Sequence, residues 1–201
     1  AFSSLIVLKM MNFIIFILVE KCIWQNNLNC IVLQKQTMRL NKEEMRVVLG
    51  LVLIALITRL LPHPPNFAPI TSIALFTGFH FVNKRLALFI PLLCMFLTDL
   101  YLGVHSLMPI IYLSFVLISM LGLKAKSISF GTVLTASTLF FFISNLGVWY
   151  FYYPTNWAGL SSCFILAIPF FINSLMGDLF YTSVLQFSFD KLKQSSFTTI
   201  K

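Results

Sequence analysis

The sequence predicts an all-α fold, a polytopic membrane bundle of six transmembrane helices. Three observations carry that prediction. The 201-residue chain is 59% hydrophobic and 10% charged, with 22 Phe and a mean hydropathy of +0.92. A soluble domain carries roughly 25% charged residues, so this composition belongs in lipid. Apolar runs of near-spanning length recur along the chain. The net charge of +8 is dispersed in small groups between those runs, as membrane topology demands. That dispersal excludes the single basic patch of a nucleic-acid binder.

Residues 1–37 read differently from the rest. Their apolar stretch is broken by Lys9, and the following EKCIWQNNLNCIVLQKQT is polar and patternless. The cationic start and small-residue cleavage site of a signal peptide are both missing. Met38 followed by RLNKEEMR resembles a cytoplasmic start. Residues 1–37 are therefore expected to be an N-terminal extension or a misassigned start, with an extra hydrophobic helix as the competing reading. Residues 38–195 form the expected transmembrane domain, and 196–201 a cytoplasmic tail.

Six spans are expected at 47–61, 67–82, 86–103, 107–123, 130–151 and 161–187. A spanning helix needs about 20 residues, so the first two are short. They are read as two spans, with one broken hairpin as the alternative. Arg39, Lys42 and Arg46 precede the first span, and Lys84 and Arg85 follow the second. Lys124 and Lys126 follow the fourth, and Lys191, Lys193 and Lys201 follow the sixth. Six crossings put all of these on one side, which the positive-inside rule makes cytoplasmic, with both termini there. The expected location is the cell (inner) membrane. The opposite face carries Arg59, a Gly-Val-His-Ser loop and the aromatic loop WYFYYPTNWAG (149–159). Those rings suit an interfacial belt or, alternatively, a lid over a planar ligand.

Residues 59–70, RLLPHPPNFAPI, interrupt the apolar pattern with Arg59, His63, Asn66 and four prolines. Proline lacks a backbone N–H and fixes φ, so this stretch cannot be helical throughout. Non-helical backbone at membrane depth must be buried in protein or line a wet cavity. Charges inside the membrane are costly and usually face the bundle interior. Arg59 and Asp99 fall at similar depth near the outer face, either as an ion pair that locks two helices or as a solute site. Two polar stripes follow the helical period: Thr135, Thr138, Asn145 and Trp149 on the fifth span, and Ser174, Asp178, Tyr181 and Thr182 on the sixth. Asn173 adds an amide. Such stripes serve as interhelical hydrogen-bond glue or line a cavity. Ala74 and Gly78 form a small-xxx-small pair suited to close helix packing.

The four cysteines form no CxxC, and the three histidines form no HExxH. Neither a disulfide framework, a metal site nor a cofactor is expected. No GxSxG or GxxxxGK[ST] motif occurs, so no enzymatic or ATPase activity is expected.

The run RLLPHPPNFAPITSIALFTGFHF (59–81), then PLLCMFLTDLYLG (91–103) and FFFISNLGVWY (140–150), resembles a family of uncharacterised bacterial six-helix membrane proteins classed as transport proteins. That family is similar in turn to the S components of energy-coupling-factor vitamin transporters. The resemblance covers roughly residues 45–192, with Pro-Pro-Asn-Phe and Leu-Thr-Asp at fixed spacing. It implies an S-component-like bundle that binds a small water-soluble, vitamin-like nutrient near its outer face. The loop between helices one and two acts as a lid. It also implies a separate transmembrane coupling protein with ATPase subunits. Gly50 and Ala55 on helix one depart from the three-residue spacing of small residues often used for that docking.

The leading reading is a small-solute binding or transport subunit without its own ATPase. Its expected site residues are Arg59, His63, Asn66, Asp99, Asn145, Trp149 and Asn173. The alternative is a non-transporting scaffold or assembly protein, whose polar groups serve only to join helices; an intramembrane enzyme using Asp99 or Asp178 is a third class. Convergence of Arg59, Asp99 and Asn145 on one open cavity favours binding, and pairwise satisfaction with no void favours a scaffold.

Overall fold

A computed structural model describes residues 42–60, 64–81 and 83–198. The expected extension 1–37 and His63 lie outside the described residues, as do the side chains of Lys42, Arg46 and Lys193. Six helices follow in order: α1 (Lys42–Leu60), α2 (Ile70–His80), α3 (Lys84–Leu102), α4 (Met108–Lys124), α5 (Phe130–Tyr152) and α6 (Trp157–Thr198).

Local chemistry sets several boundaries. The Asn83 side chain accepts from the Arg85 and Leu86 amides and caps α3. Ser129 and Thr132 form a capping box at the start of α5. Pro109 occupies the first turn of α4, where its missing N–H costs nothing. Asn156 Oδ1 accepts from the Gly159 amide at 2.8 Å as α6 begins.

Three helices are long and apolar enough to cross a membrane: α3, α5 and the part of α6 from Trp157 to Lys191. The surface is inside-out relative to a soluble protein. Leu53, Ile57, Phe142, Ile165, Phe180 and many other large apolar side chains face outward, whereas Thr77, Thr98, Asp99, Ser137 and Asp178 are buried. Isolated apolar exposure is ordinary, but stripes of it along whole helices call for lipid.

The second expected span is corrected by the structure. Only Ile70–His80 of that stretch is helical. Pro69 stands at the N-cap, and residues 64–69 run non-helically into it. At 1.5 Å per residue α2 is about 16 Å long, roughly half the thickness of a hydrocarbon core. It is also buried continuously from Ile70 to Gly78 and touches α3, α4, α5 and α6. The helix alone is too short to cross; with the irregular residues 64–69 before it, the segment runs between the two ends of the bundle.

Side-chain contacts fix where α2 lies. The Ser72 hydroxyl donates to the Asp178 carbonyl at 2.9 Å, and His80 meets Gln186 at 3.0 Å. So α2 runs alongside residues 178–186 of α6, in the half of the bundle where the basic residues gather. Lys84, Arg85 and Lys124 sit at helix ends on that side, Lys126 follows in the α4–α5 link, and Lys191 lies along the last turns of α6. The proline segment and the connections 103–107 and 153–156 meet at the opposite end.

The α2–α4 crossing depends on missing side chains. A Cβ on Gly78 would stand 2.3 Å from the Ser119 carbonyl oxygen, and one on Gly122 2.5 Å from that of Leu75. Both obstacles are backbone, so only separation of the helices relieves the clash. The small residue at Gly78 thus acts as expected, with Gly122 as its unforeseen partner. Gly78→Ala and Gly122→Ala are each expected to destabilise the fold by about 1–3 kcal/mol. Denaturant titration of the purified protein in mild detergent measures this; Gly50→Ala, which meets nothing, serves as the neutral control.

Candidate functional site

The proline segment closes into a tight turn. The Phe67 amide donates to the Pro64 carbonyl at 3.0 Å, and Asn66 has φ +63°. Proline at the second position and a left-handed residue at the third are the marks of a type II turn. Asparagine is the side-chain-bearing residue that tolerates this conformation best. Phe67 then packs on α6, with ring centroids 6.2 Å from Phe180 and 5.5 Å from Tyr181. Its Cα lies 3.2 Å from where a Gly177 Cβ would be, so that glycine admits the chain.

Beside this turn is a partly open cavity of about 400 Å³ between α4, α5 and α6. Pro65 and Asn66 contribute from the turn, Leu107 from the N-cap of α4 and Ile111 from its first turn, and Tyr153 from the α5–α6 link. Phe140, Phe141, Phe170 and Phe171 supply ring surface, and Ser144, Asn145 and Ser174 supply polar groups. The Asn145 amide nitrogen donates to the Phe141 carbonyl at 2.7 Å, which orients its Oδ1 away from the helix backbone. Among the described residues no charged side chain lines the cavity.

The charged residues form a separate centre. Arg59, in the last turn of α1, donates from Nη2 to Asp99 Oδ1 at 3.1 Å. Its Nη1 points to the Met95 sulfur. Tyr112 Oη, near the start of α4, donates to Asp99 Oδ2 at 2.9 Å. Each carboxylate oxygen therefore has a donor, and the Asp99 side chain is 2% exposed. A buried carboxylate with a guanidinium and a phenol against it is electrically closed. The cluster ties α1, α3 and α4 together at the end where the proline turn lies.

The expected site residues thus separate. Asn66 and Asn145 share the cavity, while Arg59 and Asp99 pair outside it. Trp149 is half-buried and donates its Nε1–H to the Pro154 carbonyl at 3.0 Å, holding the α5–α6 link rather than lining the cavity. Asn173 is half-buried and contributes nothing to the lining, whereas its neighbour Ser174 does. The α5 stripe is also corrected. Thr135 and Thr138 are exposed, with the Thr135 hydroxyl bonded back to Gly131. Ser137 is the buried hydroxyl of that helix, and it meets Asp178 at 2.6 Å. The α6 stripe holds: Ser174, Asp178 and Thr182 are buried, and Tyr181 packs on Phe67.

Tyr112 was readable in principle. Residues 99 and 112 lie at matching distances either side of the α3–α4 link, so an antiparallel pair brings them level. Ser137 carried no such signal.

Removal of one member of a buried ion pair leaves the other uncompensated, at about 3–5 kcal/mol. Arg59→Leu is expected to lose stability on that scale, whereas Arg59→Leu with Asp99→Asn recovers most of it. A double-mutant cycle of unfolding free energies in detergent checks this, the recovery being the diagnostic outcome.

Comparison with curated proteins and with solved structures finds no match. A family model does match, over residues 39–200, which take in all the described helices and both polar centres. The chain belongs to the family of unknown function DUF6580.

Proposed function

We propose that this is a multi-pass membrane protein that binds a small water-soluble molecule in the α4–α5–α6 cavity, beneath the proline turn. The cavity carries the proposal. Its volume of about 400 Å³ lies within the range of small-molecule sites, and its wall is apolar with a few convergent polar groups. Four phenyl rings offer stacking faces for a planar body. Asn66, Ser144, Asn145 and Ser174 offer hydrogen bonds, and none of the described lining residues carries a charge. The solute class this favours is a neutral aromatic or heteroaromatic nutrient, not an anion.

In this reading the chain crosses the membrane six times with both termini cytoplasmic. Gathering of the lysines at one end of the bundle supports that orientation. The half-length α2, preceded by irregular backbone, resembles the broken helices that border transporter sites. The likeness to S components adds a transport role, with energy from a separate coupling protein and its ATPase subunits. No catalytic role is proposed.

The scaffold reading has one observation in its favour, the closed Arg59–Asp99–Tyr112 cluster. We assign those charges to holding helices together and keep binding for the uncharged cavity.

Asn66→Gly preserves the left-handed turn and deletes only the amide. Asn145→Ala deletes the other. Native mass spectrometry of the detergent-purified protein is expected to show a co-purifying small molecule in the wild type, lost in the double variant. In a thermal-shift screen against neutral heteroaromatic nutrients, a hit should weaken at least tenfold in either single variant. No bound molecule and no hit in any preparation would sink the binding proposal.

A further inference from the structure

We infer that Asp178 is a proton site, a neutral carboxyl at the centre of the bundle that separates two cavities and exchanges its proton with water from either.

The hydrogen-bond geometry leads there. The Ser137 Oγ lies 2.6 Å from Asp178 Oδ2 and 3.1 Å from the Val133 carbonyl oxygen. A serine hydroxyl has one proton, and neither a carboxylate nor a carbonyl can donate. Each contact gains a proton of its own, rather than a shared one, when the carboxyl brings a second. Asp178 Oδ2–H then donates to Ser137 Oγ, and Ser137 O–H donates to Val133. Asp178 is 1% exposed, and its Oδ1 has no hydrogen-bond partner. An ionised carboxylate left this way in an apolar interior carries a heavy desolvation cost, which the neutral form avoids.

The surroundings hold no compensating charge among the described residues. From α2 the adjacent groups are Thr71 and Ser72, and from α5 Ser137. On α6 the nearest ionisable groups are Tyr181, which packs on Phe67, and Asp190 three turns away. His80 on α2 is engaged with Gln186. Asp178 thus differs from Asp99, whose charge is met by Arg59.

Its position makes the proton exchangeable. Ser174, one turn before Asp178, lines the aromatic-walled cavity. Thr182, one turn after, lines a second cavity of about 450 Å³ at the basic end, between the start of α5 and the end of α6. Thr182 Oγ1 is itself buried without a partner. So a polar side chain one helical turn from Asp178 lines a cavity on each side. The inference does not depend on what the aromatic cavity binds.

Infrared spectroscopy reads the proton directly, and the chain has only six acidic residues to assign. At neutral pH in reconstituted membranes, the wild type is expected to show a carboxylic-acid C=O band. It should be lost in Asp178→Asn, and shifted to higher frequency in Ser137→Ala by loss of its hydrogen bond. Transfer to D₂O should downshift the band within minutes. Absence of the acid band, or a band unchanged in both variants, overturns the proposal. So does stabilisation of the wild type but not Asp178→Asn by sodium chloride without an acid band, which assigns the site to a metal cation.

Discussion

An eleven-residue helix stands where the bundle has room for one of twice that length. The rest of the molecule is arranged around that shortfall. Because α2 is enclosed by four other helices, its ends cannot be left to lipid. Toward the basic end the helix C-terminus reaches His80, which leans on Gln186 and Phe189. Toward the other end, residues 64–69 continue the path as irregular chain, with prolines removing N–H groups that would otherwise need partners. The shortfall that remains is the cavity beside Pro65 and Asn66.

The same constraint distributes the polar groups. Close approach of α2 to α4, at Gly78 and Gly122, leaves no space for side chains there, so that crossing is backbone on backbone. Polar side chains collect instead where α2 begins, against Asp178 and Ser137, and where α1 ends, against Asp99. The two aspartates meet opposite fates. Asp99 is neutralised by an arginine and a tyrosine and serves as a joint between three helices. Asp178 has only hydroxyls about it and keeps one oxygen unpartnered. A joint needs full satisfaction, whereas a site that exchanges a ligand or proton needs a vacancy.

Much of this was legible in the chain. Apolar runs bounded by Pro, Gly and Lys locate most of the helix ends, because each run must satisfy its backbone internally; the last helix runs on to Thr198, well past its apolar stretch. Pro65-Asn66 spells its own turn, since φ is locked at the first and a left-handed conformation is tolerated at the second. Depth alone put Arg59 and Asp99 level with each other, without choosing between an ion pair and a solute site. The α5 stripe misled because Thr135 and Ser137 are two residues apart, about 200° around a helix, and periodicity does not say which face turns inward. Threonine and serine can also satisfy themselves by bonding back to the preceding turn, as Thr135 does, so a hydroxyl is no pledge of burial.

By itself the sequence determined that this chain is helical, membrane-suited, and broken by prolines before residue 70. Composition, helix period and proline chemistry are local properties, and they survive without knowledge of neighbours. The tertiary structure alone decided that α2 is a buried half-length core helix, that Arg59 and Asp99 close on each other with Tyr112 away from the cavity, and that Asn66 and Asn145 share its wall. Those outcomes depend on the rotation and offset of one helix against another. They are set by contacts such as Gly78 with Gly122 and Phe67 with Gly177, between residues far apart in the chain.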